Sequence, residues 1–423
     1  MDHFRIHGGI PLHGTVTIGG AKNAALPMLS ACVLTPQRCV LHGVPRLHDV
    51  DTMLKLLTHV GVQWERNGNG GATVNAQAEK IAASEAPYTI VKTMRASSMI
   101  LGPLLARTGH ARVSLPGGCA IGARPMDQHL KAFKEMGAEI TIEEGNIAAR
   151  ADRLRGVEIT FDMVTVTGTE NVMMAAVLAE GQTILNNAAR EPEVVALAEM
   201  LSQMGARVVG AGTARITIDG VEQLHGTEVT IIPDRIQAGT YLIAAAMTNG
   251  DVAVENCPLS HLEALQTKLT EAGARIEKSA PTATPTVRVV GPRKLRSVDI
   301  TTAPFPGYAT DLQAQWMAAM TIADGASAIT ETIFENRFMH VAELRRMGAE
   351  ITVDGHTAIV KSVAKLSGAP LMATDLRASA SLVLAALAAE GQSDIQRVYH
   401  IDRGYERIEE QLYSLGARIE RVR

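Results

Sequence analysis

The chain has 423 residues, of which 46% are hydrophobic, 20% charged and 3% aromatic, and its formal net charge is −4. This composition excludes a disordered chain and gives no general attraction for nucleic acid, so an anionic ligand requires a local cluster of basic side chains. No apolar run is long enough to cross a bilayer and the amino end lacks a secretory signal pattern, which predicts a cytoplasmic protein without membrane insertion. The four cysteines have no CxxC spacing, so neither a zinc site nor a disulfide framework is expected.

One pattern recurs along the whole chain: an amphipathic helix that ends at a glycine and is followed by a short β-branched run. It occurs six times, for example as AFKEMGAEI and EMLSQMGARV, with its glycine at positions 61, 137, 205, 273, 348 and 416. The first and fourth intervals are the longest, so the chain consists of two similar halves of three units. A second, alanine-rich helix recurs between strand-like segments. The pattern therefore predicts six βαββαβ-type units in two α/β domains that meet near residues 231–235.

Near the amino end, the segment TVTIGGAKNAALP places Lys22 and Asn23 after a Gly-Gly turn and at the start of a helix. A helix start of this kind can bind an anion, although a solvated lysine is the alternative. The GxxxxGK[ST] pattern of a nucleotide-binding loop is absent. The two opening strands, FRIHGG and TVTIGG, are expected to pair with the last repeat, which would make one domain discontinuous.

Two repeats carry extra residues, at PGGCAIGARP and at TTAPFPGYATD. Insertions in a regular repeat are usually loops, and loops often carry function. The first insertion precedes a helix that begins near Met126. It contains Cys119, five residues before Arg124, and a nearby cation together with a helix amino terminus lowers a thiol pKa. A reactive thiol is one interpretation, and an inert small side chain in a glycine-rich loop is the other.

Arginines recur after turns or at helix starts. They are Arg95, Arg124, Arg235, Arg377 and Arg403. Each alone could be a surface ion pair, but together they could converge on a substrate that carries phosphate and carboxylate groups. Two aspartates, Asp311 and Asp375, each follow a threonine at the start of an apolar helix. Helix capping is the usual role of such an aspartate, and general base catalysis by one of them is the alternative.

These residues lie in segments that resemble a known family from end to end. The segments are GGAKNAALP, KTMRASS, LPGGCAIGARPMDQHL, VTGTEN, AREPE, PDRIQAGT, ATDLQAQ, ETIFENRFMHVAEL, TDLRAS and DRGYERI. They are similar to the UDP-N-acetylglucosamine 1-carboxyvinyltransferase family of the enolpyruvyl transferase superfamily. The resemblance implies a two-domain inside-out α/β barrel, with residues 23–232 in one domain and 1–22 plus 233–423 in the other. It also implies an active site in the cleft between the domains, with the Cys119 loop as a lid.

The resemblance further implies the reaction. The enolpyruvyl group of phosphoenolpyruvate would pass to the 3'-hydroxyl of UDP-N-acetylglucosamine by addition and elimination, releasing phosphate for peptidoglycan precursor synthesis. Cys119 would be the general acid and the site of a covalent adduct, and Asp311 would take the hydroxyl proton. The family uses no metal or organic cofactor, and neither nucleic acid nor an obligate protein partner is expected. The alternatives are a shikimate 3-phosphate transferase and a catalytically silent paralogue that binds a nucleotide sugar.

The residues that match the family's binding positions form two sets. The phosphoenolpyruvate set is Lys22, Asn23, Arg124, Arg377 and Arg403, of which Lys22 and Arg403 are also expected to act in catalysis. The nucleotide-sugar set is Asn23, Arg95, Arg124, Pro125, Met126, Asp127, Gln128, Val164, Thr165, Val166, Thr167, Asp311 and Ile333. The chain departs from some members at Met99 and Val164, where they have tryptophan and lysine. The cysteine also predicts sensitivity to the epoxide fosfomycin.

Overall fold

The computed structural model describes residues 2–115, 126–279 and 284–423. These residues form two compact units, one from residues 2–19, 233–279 and 284–423 and the other from 20–115 and 126–232. Each unit has its own hydrophobic core. Among the helices of the described ranges, none combines the length and the apolar character that a membrane crossing requires.

The helices are short, and most are followed by a strand. Within the described ranges they are α1 Lys22–Ala31, α2 His48–His59, α3 Tyr88–Val91, α4 Leu101–Thr108, α5 Asp127–Glu135, α6 Val166–Ala176, α7 Pro192–Gln203, α8 Arg235–Met247, α9 Glu263–Glu271, α10 Gln313–Met320, α11 Val341–Arg346, α12 Leu376–Ala388 and α13 Ile408–Ser414. The 3-10 turns that precede α4, α10 and α13 are Arg95–Ile100, Thr310–Leu312 and Val398–Arg403.

The strands have two to five residues. They are β1 His3–His7, β2 His13–Thr17, β3 Arg38–His42, β4 Gln63–Asn67, β5 Thr73–Gln77, β6 Glu85–Ala86, β7 His110–Ser114, β8 Glu139–Glu143, β9 Asn146–Arg150, β10 Glu158–Thr160, β11 Gln182–Asn186, β12 Arg207–Val209, β13 Arg215–Asp219, β14 Glu228–Thr230, β15 Asp251–Glu255, β16 Arg275–Lys278, β17 Thr286–Val290, β18 Ile300–Thr301, β19 Ala326–Thr330, β20 Glu350–Asp354, β21 Thr357–Lys361, β22 Pro370–Met372, β23 Gln392–Gln396 and β24 Arg418–Val422.

In the described residues the strands form six four-stranded sheets, one for each predicted repeat. The sheet β10-β11-β13-β12 is representative: β10 and β11 are parallel, and the other two pairings are antiparallel. A parallel pair needs a crossover, which the first helix of the unit supplies, whereas antiparallel strands can be joined by a short turn. The order of elements in a unit is therefore βαβαββ rather than the predicted βαββαβ.

The amino-terminal strands belong to two different sheets. Strand β1 pairs with β23 and β24 of the last repeat, as predicted. Strand β2 instead lies parallel to β15, so the prediction for TVTIGG is wrong. The reason is that α8 crosses over to β15 and needs a parallel first strand, which β2 provides. Strand β14 does the same for β3 in the other unit.

Each unit has three inner helices with sheets packed around them. In one unit these are α8, α10 and α12, and in the other α1, α4 and α6. Every residue of α8 and α10 is buried, which is the behaviour of a helix that is apolar on all sides. Small residues allow the close packing: a Cβ added to Gly102 in α4 would overlap the backbone carbonyl oxygen of Asn171 in α6. The strands bury alternate residues against these helices.

The repeated glycines end the outer helix of each unit, as predicted. The φ angles of the six glycines lie between 91° and 100°. Glycine adopts this left-handed conformation without the steric penalty that a Cβ would bring. The local repeat signal thus identified all six turns between an outer helix and the following strand.

Candidate functional site

Three aspartates occupy equivalent positions at the starts of α8, α10 and α12. Asp234 caps α8 by accepting hydrogen bonds from the N–H groups of Ile236 and Gln237 at 2.8 and 3.0 Å. Asp375 caps α12 in the same way, from the N–H groups of the residues two and three positions later. Asp311 lies in the 3-10 turn before α10, which has no side-chain cap. Asp375 therefore has the capping role, whereas the carboxylate of Asp311 binds other side chains. General base catalysis by Asp311 stays a prediction.

The carboxylate of Asp311 lies between two buried arginines. Arg337 Nη2 is 2.8 Å from its Oδ1, and Arg377 Nη2 is 3.1 Å from its Oδ2. The arginine side chains are 4% and 5% exposed, and that of Asp311 is 25% exposed. Burial lowers the pKa of Arg377. The charges of Asp311, Tyr405 and Asp234 act in the opposite direction and together outweigh burial, so the pKa of Arg377 is raised above its usual value. We call Asp311, Arg337 and Arg377 the aspartate group.

The aspartate group offers two further hydrogen-bond donors. In the described part of the chain, the Nη1 atoms of Arg337 and Arg377 are buried and have no hydrogen-bond acceptor. A buried charged donor without an acceptor is costly, so such atoms are retained where an anionic group can bind them. Aromatic rings support both guanidinium groups, Phe334 at 5.1 Å and Tyr405 at 5.6 Å.

A buried polar network fixes the backbone of Asp311. Gln315 Nε2 donates to the carbonyl oxygen of Asp311 at 3.0 Å and to the hydroxyl oxygen of Tyr405 at 3.3 Å. The Tyr405 hydroxyl also shares a 2.8 Å hydrogen bond with Thr240 of α8. The network joins the first half of α8 to the start of α10, and Arg377 of α12 binds Asp311 beside it. The positive ends of the helix dipoles of α10 and α12 at this point favour an anion.

Glu331 connects Asp311 to Ile333, another predicted site residue. Its carboxylate is 1% exposed and accepts from the hydroxyls of Thr302 and Thr310, the residue before Asp311, at 2.9 and 2.8 Å. It also accepts from the N–H of Ile333 at 2.8 Å. Ile333 itself is 36% exposed. Glu331 thus holds the backbone of Ile333 and the side chain of Thr310, the neighbour of Asp311.

Arg403 is half-buried at the end of the 3-10 turn Val398–Arg403. Burial and the charge of Arg403 lower the pKa of His400, whereas the charge of Asp375 acts in the opposite direction. The turn packs against the start of α12, because a Cβ on Gly404 would lie 2.6 Å from Cδ2 of Leu376. Arg403 therefore lies at the same end of α12 as Arg377.

The other unit contains a buried ion pair at Lys22. Lys22 is the first residue of α1, and its Nζ is 3.0 Å from Oδ2 of Asp49 in the first turn of α2. The two side chains are 10% and 6% exposed, so the alternative of a solvated lysine is wrong. The Gly-Gly turn before it has a steric cause, because a Cβ on Gly20 would overlap the carbonyl oxygen of Gly43. Asn23 follows in α1 and is half-buried.

The remaining described residues of the predicted nucleotide-sugar set lie at the starts of α5 and α6. Met126 is buried, Asp127 is exposed, and the Gln128 side chain is used within the unit, where its Oε1 accepts from the N–H of Asp162 at 3.0 Å. Thr165 caps α6 through a 3.2 Å bond from the N–H of Gly168. Its neighbours Val164, Val166 and Thr167 are half-buried. Helix α6 packs against α1, α5 and the 3-10 turn that begins at Arg95, so these positions lie on neighbouring elements.

The predicted lid loop, PGGCAIGARP, covers residues 116–125 and lies outside the described residues, as do Cys119, Arg124 and Pro125. The other three cysteines are free and buried. Burial raises the pKa of the Cys257 thiol to about 12, which makes its reactive thiolate form rare. Over the residues that the structure describes, no group of three or more His, Cys, Asp or Glu side chains could hold a metal ion.

Three important side chains were missed by the sequence analysis: Asp49, Glu331 and Arg337. Arg337 and Glu331 lie in the ETIFENRFMH segment, which was recognised only as a motif. Their roles depend on partners that are distant in the sequence. For Asp49, its position in the first turn of an amphipathic helix indicated only a favourable interaction with the helix dipole.

Acid is expected to destabilise the unit that contains α5. His129 is buried, and burial lowers its pKa to about 4, while Nδ2 of Asn171 lies 3.0 Å from its Nδ1. Since the folded pKa lies below the unfolded value of about 6.5, the stabilisation is complete above pH ~6.5 and is lost as the pH falls towards about 4. The loss in unfolding free energy reaches about 3 kcal/mol. Urea unfolding of the wild type at pH 7, 5.5 and 4.5 measures it.

His129→Gln should reduce this dependence on pH, and His110→Gln, at an exposed position, is the matched control. His340 has a pKa lowered to about 4 for the same reason, so part of the acid sensitivity should remain. An unchanged pH slope in His129→Gln would exclude His129 as a source of the effect.

Comparison with known proteins gives a consistent picture. The EPSP synthase (3-phosphoshikimate 1-carboxyvinyltransferase) family matches residues 6–412. A UDP-N-acetylglucosamine 1-carboxyvinyltransferase from Anaeromyxobacter sp. (strain Fw109-5) is 57% identical over 423 residues, which are 100% of this chain and 99% of the relative.

The solved structures agree. The enolpyruvyl transferase NikO from Streptomyces tendae has a TM-score of 0.89 at 25% identity, covering 100% of this chain and 99% of its own. EPSP synthase from Acinetobacter baumannii has a TM-score of 0.78 at 20% identity over 100% of both chains, a likeness of fold alone. The predicted fold class is therefore confirmed.

Proposed function

The chain belongs to the EPSP synthase family of enolpyruvyl transferases, and we propose that it transfers the enolpyruvyl group of phosphoenolpyruvate to the 3'-hydroxyl of UDP-N-acetylglucosamine. The full-length likeness to the carboxyvinyltransferase relative carries this proposal. The products are enolpyruvyl UDP-N-acetylglucosamine and inorganic phosphate. The reaction supplies a precursor of peptidoglycan, and its small charged substrates fit the predicted cytoplasmic location.

The chemistry needs one proton acceptor and one proton donor. In the addition step, the 3'-hydroxyl oxygen bonds to the central carbon of phosphoenolpyruvate, loses its proton to Asp311, and the methylene carbon gains a proton from Cys119. In the elimination step, the C–O bond to phosphate breaks and the new methyl group returns a proton to the Cys119 thiolate, which restores the double bond. Cys119 can also add to the same carbon and hold phosphoenolpyruvate covalently.

The aspartate group supports the role of Asp311. Two buried arginines each bind one oxygen of the carboxylate, which fixes its direction. Asp375 uses one carboxylate oxygen to cap α12. Asp311 has no capping role and its side chain is 25% exposed, so a substrate hydroxyl can reach it. The resemblance at ATDLQAQ assigns the base to Asp311 rather than to Asp375.

The cationic residues support the binding of phosphoenolpyruvate. The Nη1 atom of Arg377 is a buried donor that can bind the substrate carboxylate, and Arg403 lies at the same end of α12. Lys22 would bind the phosphate together with Arg124 and Arg403, and positive charge there stabilises the departing phosphate. Asn23, Arg95, residues 124–128 and 164–167, Asp311 and Ile333 would bind the nucleotide sugar.

Release of inorganic phosphate tests the proposal and its nearest rival. Purified protein is incubated with phosphoenolpyruvate and either UDP-N-acetylglucosamine or shikimate 3-phosphate. We expect release only with the nucleotide sugar. Release only with shikimate 3-phosphate would establish the rival activity, for which the family's name is the supporting observation. Release with neither acceptor would favour a silent nucleotide-sugar-binding protein.

Fosfomycin should inactivate the enzyme by reaction with the thiol of Cys119. We expect a progressive loss of phosphate release when the antibiotic and UDP-N-acetylglucosamine are present together, because the thiolate opens the epoxide. Mass spectrometry should find the adduct on the peptide that contains Cys119. Cys257→Ala is the matched control, since that thiol is buried, and should remain sensitive. Full activity after prolonged exposure would contradict the proposed thiol chemistry.

A further inference from the structure

The last strand carries an arginine that two carboxylates bind. Nη1 and Nη2 of Arg421 lie 3.0 and 2.6 Å from the two carboxylate oxygens of Asp402, which makes this pair bidentate. Its Nε is 2.7 Å from Oε1 of Glu409 in α13. The side chains of Arg421 and Asp402 are each 22% exposed, and that of Glu409 is 12% exposed. Such a pair fixes both the position and the orientation of the bound carboxylate.

Strand pairing holds Arg421 in place. Arg421 lies directly opposite Phe4 in the antiparallel pair of β1 and β24, and its guanidinium group is 4.8 Å from the centre of the Phe4 ring. Oδ2 of Asp2 is 3.6 Å from Nη1. Burial lowers the pKa of Arg421, but Asp402 and Glu409 together outweigh it and the pKa is raised, so the side chain remains a cation. The arginine is therefore a rigid anchor on the sheet.

The anchor holds the turn that carries Arg403. Asp402 is the residue before Arg403 in the turn Val398–Arg403, which ends at Gly404. A Cβ on Gly404 would lie 2.6 Å from Cδ2 of Leu376, so the turn is packed directly against the start of α12. Tyr405 follows, and its hydroxyl is bound to Thr240 in the core. The turn is thus held from the sheet through Asp402 and from the inner helices through Tyr405.

We infer that Arg421 is a positioning residue, which orients Arg403 towards phosphoenolpyruvate by binding Asp402. This inference rests on the proposed function of Arg403. Arg421 itself would contact neither substrate and would act only through the turn Val398–Arg403. A small displacement of a substrate-binding group lowers the rate strongly, because the reacting atoms lose their alignment.

Steady-state kinetics test the inference with Arg421→Ala. We expect the KM for phosphoenolpyruvate to rise about tenfold or more and kcat to fall, with a much smaller change in the KM for UDP-N-acetylglucosamine. Arg5→Ala is the matched control. Arg5 lies in the same sheet, and its ion-pair partners Asp394 and Glu420, at 2.9 and 3.7 Å, both lie outside the turn. It should leave the kinetics unchanged. Wild-type kinetics in Arg421→Ala would overturn the inference.

A double-mutant cycle separates positioning from general stabilisation. If Arg421 acts through Arg403, then Arg403→Ala and Arg403→Ala/Arg421→Ala should have equal kcat/KM for phosphoenolpyruvate, whereas independent effects would multiply. Arg421→Lys keeps the charge but loses the bidentate geometry, and should fall between the wild type and Arg421→Ala. Multiplying effects in the cycle would contradict the inference.

Hydrogen exchange gives a measure that does not depend on activity. Amides of residues 398–405 should exchange faster in Arg421→Ala than in the wild type or in Arg5→Ala, because the turn has lost its anchor. Unchanged exchange in this segment would overturn the inference even if the wild type released no phosphate. An inactive wild type with the expected exchange pattern would instead count against the proposed function alone.

Discussion

Asp311→Asn is expected to reduce phosphate release from phosphoenolpyruvate and UDP-N-acetylglucosamine by about a hundredfold to ten-thousandfold in kcat. The amide keeps the size of the side chain but cannot take the proton of the 3'-hydroxyl. It also presents an N–H group to one of the two arginines that bind the carboxylate at 2.8 and 3.1 Å. The measurement is kcat at saturating concentrations of both substrates, with circular dichroism to establish that the variant is folded.

Asp311→Ala should add a loss of stability. Breaking a buried ion pair costs about 3–5 kcal/mol, and here Arg337 and Arg377 would both lose the same carboxylate. Asp251→Asn is the matched control, since this aspartate also binds an arginine with both oxygens, but that arginine, Arg288, is 50% exposed rather than buried. It should have wild-type activity. A kcat for Asp311→Asn within about tenfold of the wild type would exclude Asp311 as the essential base.

Lys22→Met is expected to abolish the use of phosphoenolpyruvate and to lower the stability of its unit. The substitution removes the ammonium group that would bind phosphate, for which we expect a loss of at least about a hundredfold in kcat/KM. The substitution also leaves the buried carboxylate of Asp49 without the ammonium group that lies 3.0 Å away in the wild type. Loss of this ion pair should lower the free energy of unfolding by up to about 3 kcal/mol. Phosphate release and urea unfolding measure the two effects.

Two control variants distinguish these effects. Lys131→Met breaks an ion pair of nearly the same length, 2.9 Å, but between exposed side chains, so neither stability nor activity should change measurably. Asp49→Asn disturbs the buried pair while keeping the lysine, and should lose stability but retain more activity than Lys22→Met. Equal activity losses in Lys22→Met and Asp49→Asn would mean that the lysine acts only as part of the fold.

Much of the fold was readable from the sequence because its signals are local. A glycine that must adopt a left-handed conformation at the end of an amphipathic helix depends on the residues around it, and this pattern identified six units. The second, alanine-rich helix of each unit was also readable as a repeat, but its burial on all sides was seen only in the structure. The partner of β2 was not readable, because strand pairing joins residues that are far apart in sequence: Asp251 of β15 lies opposite His13.

In the candidate site, too, local features could be predicted from the sequence, whereas contacts between distant segments could not. From the sequence alone we could identify the repeats, the family and the positions of Lys22, Asp311, Arg377 and Arg403. The tetrapeptide ATDL occurs at residues 309–312 and 373–376, so local sequence could not assign different roles to Asp311 and Asp375. Tertiary structure decided between them. It brings Arg337, a residue from a different segment, to within 2.8 Å of Asp311, whereas Asp375 remains bound to the N–H groups of its own helix. A cap needs only neighbours in the chain, but an ion pair between buried side chains needs the folded core to bring them together and exclude water.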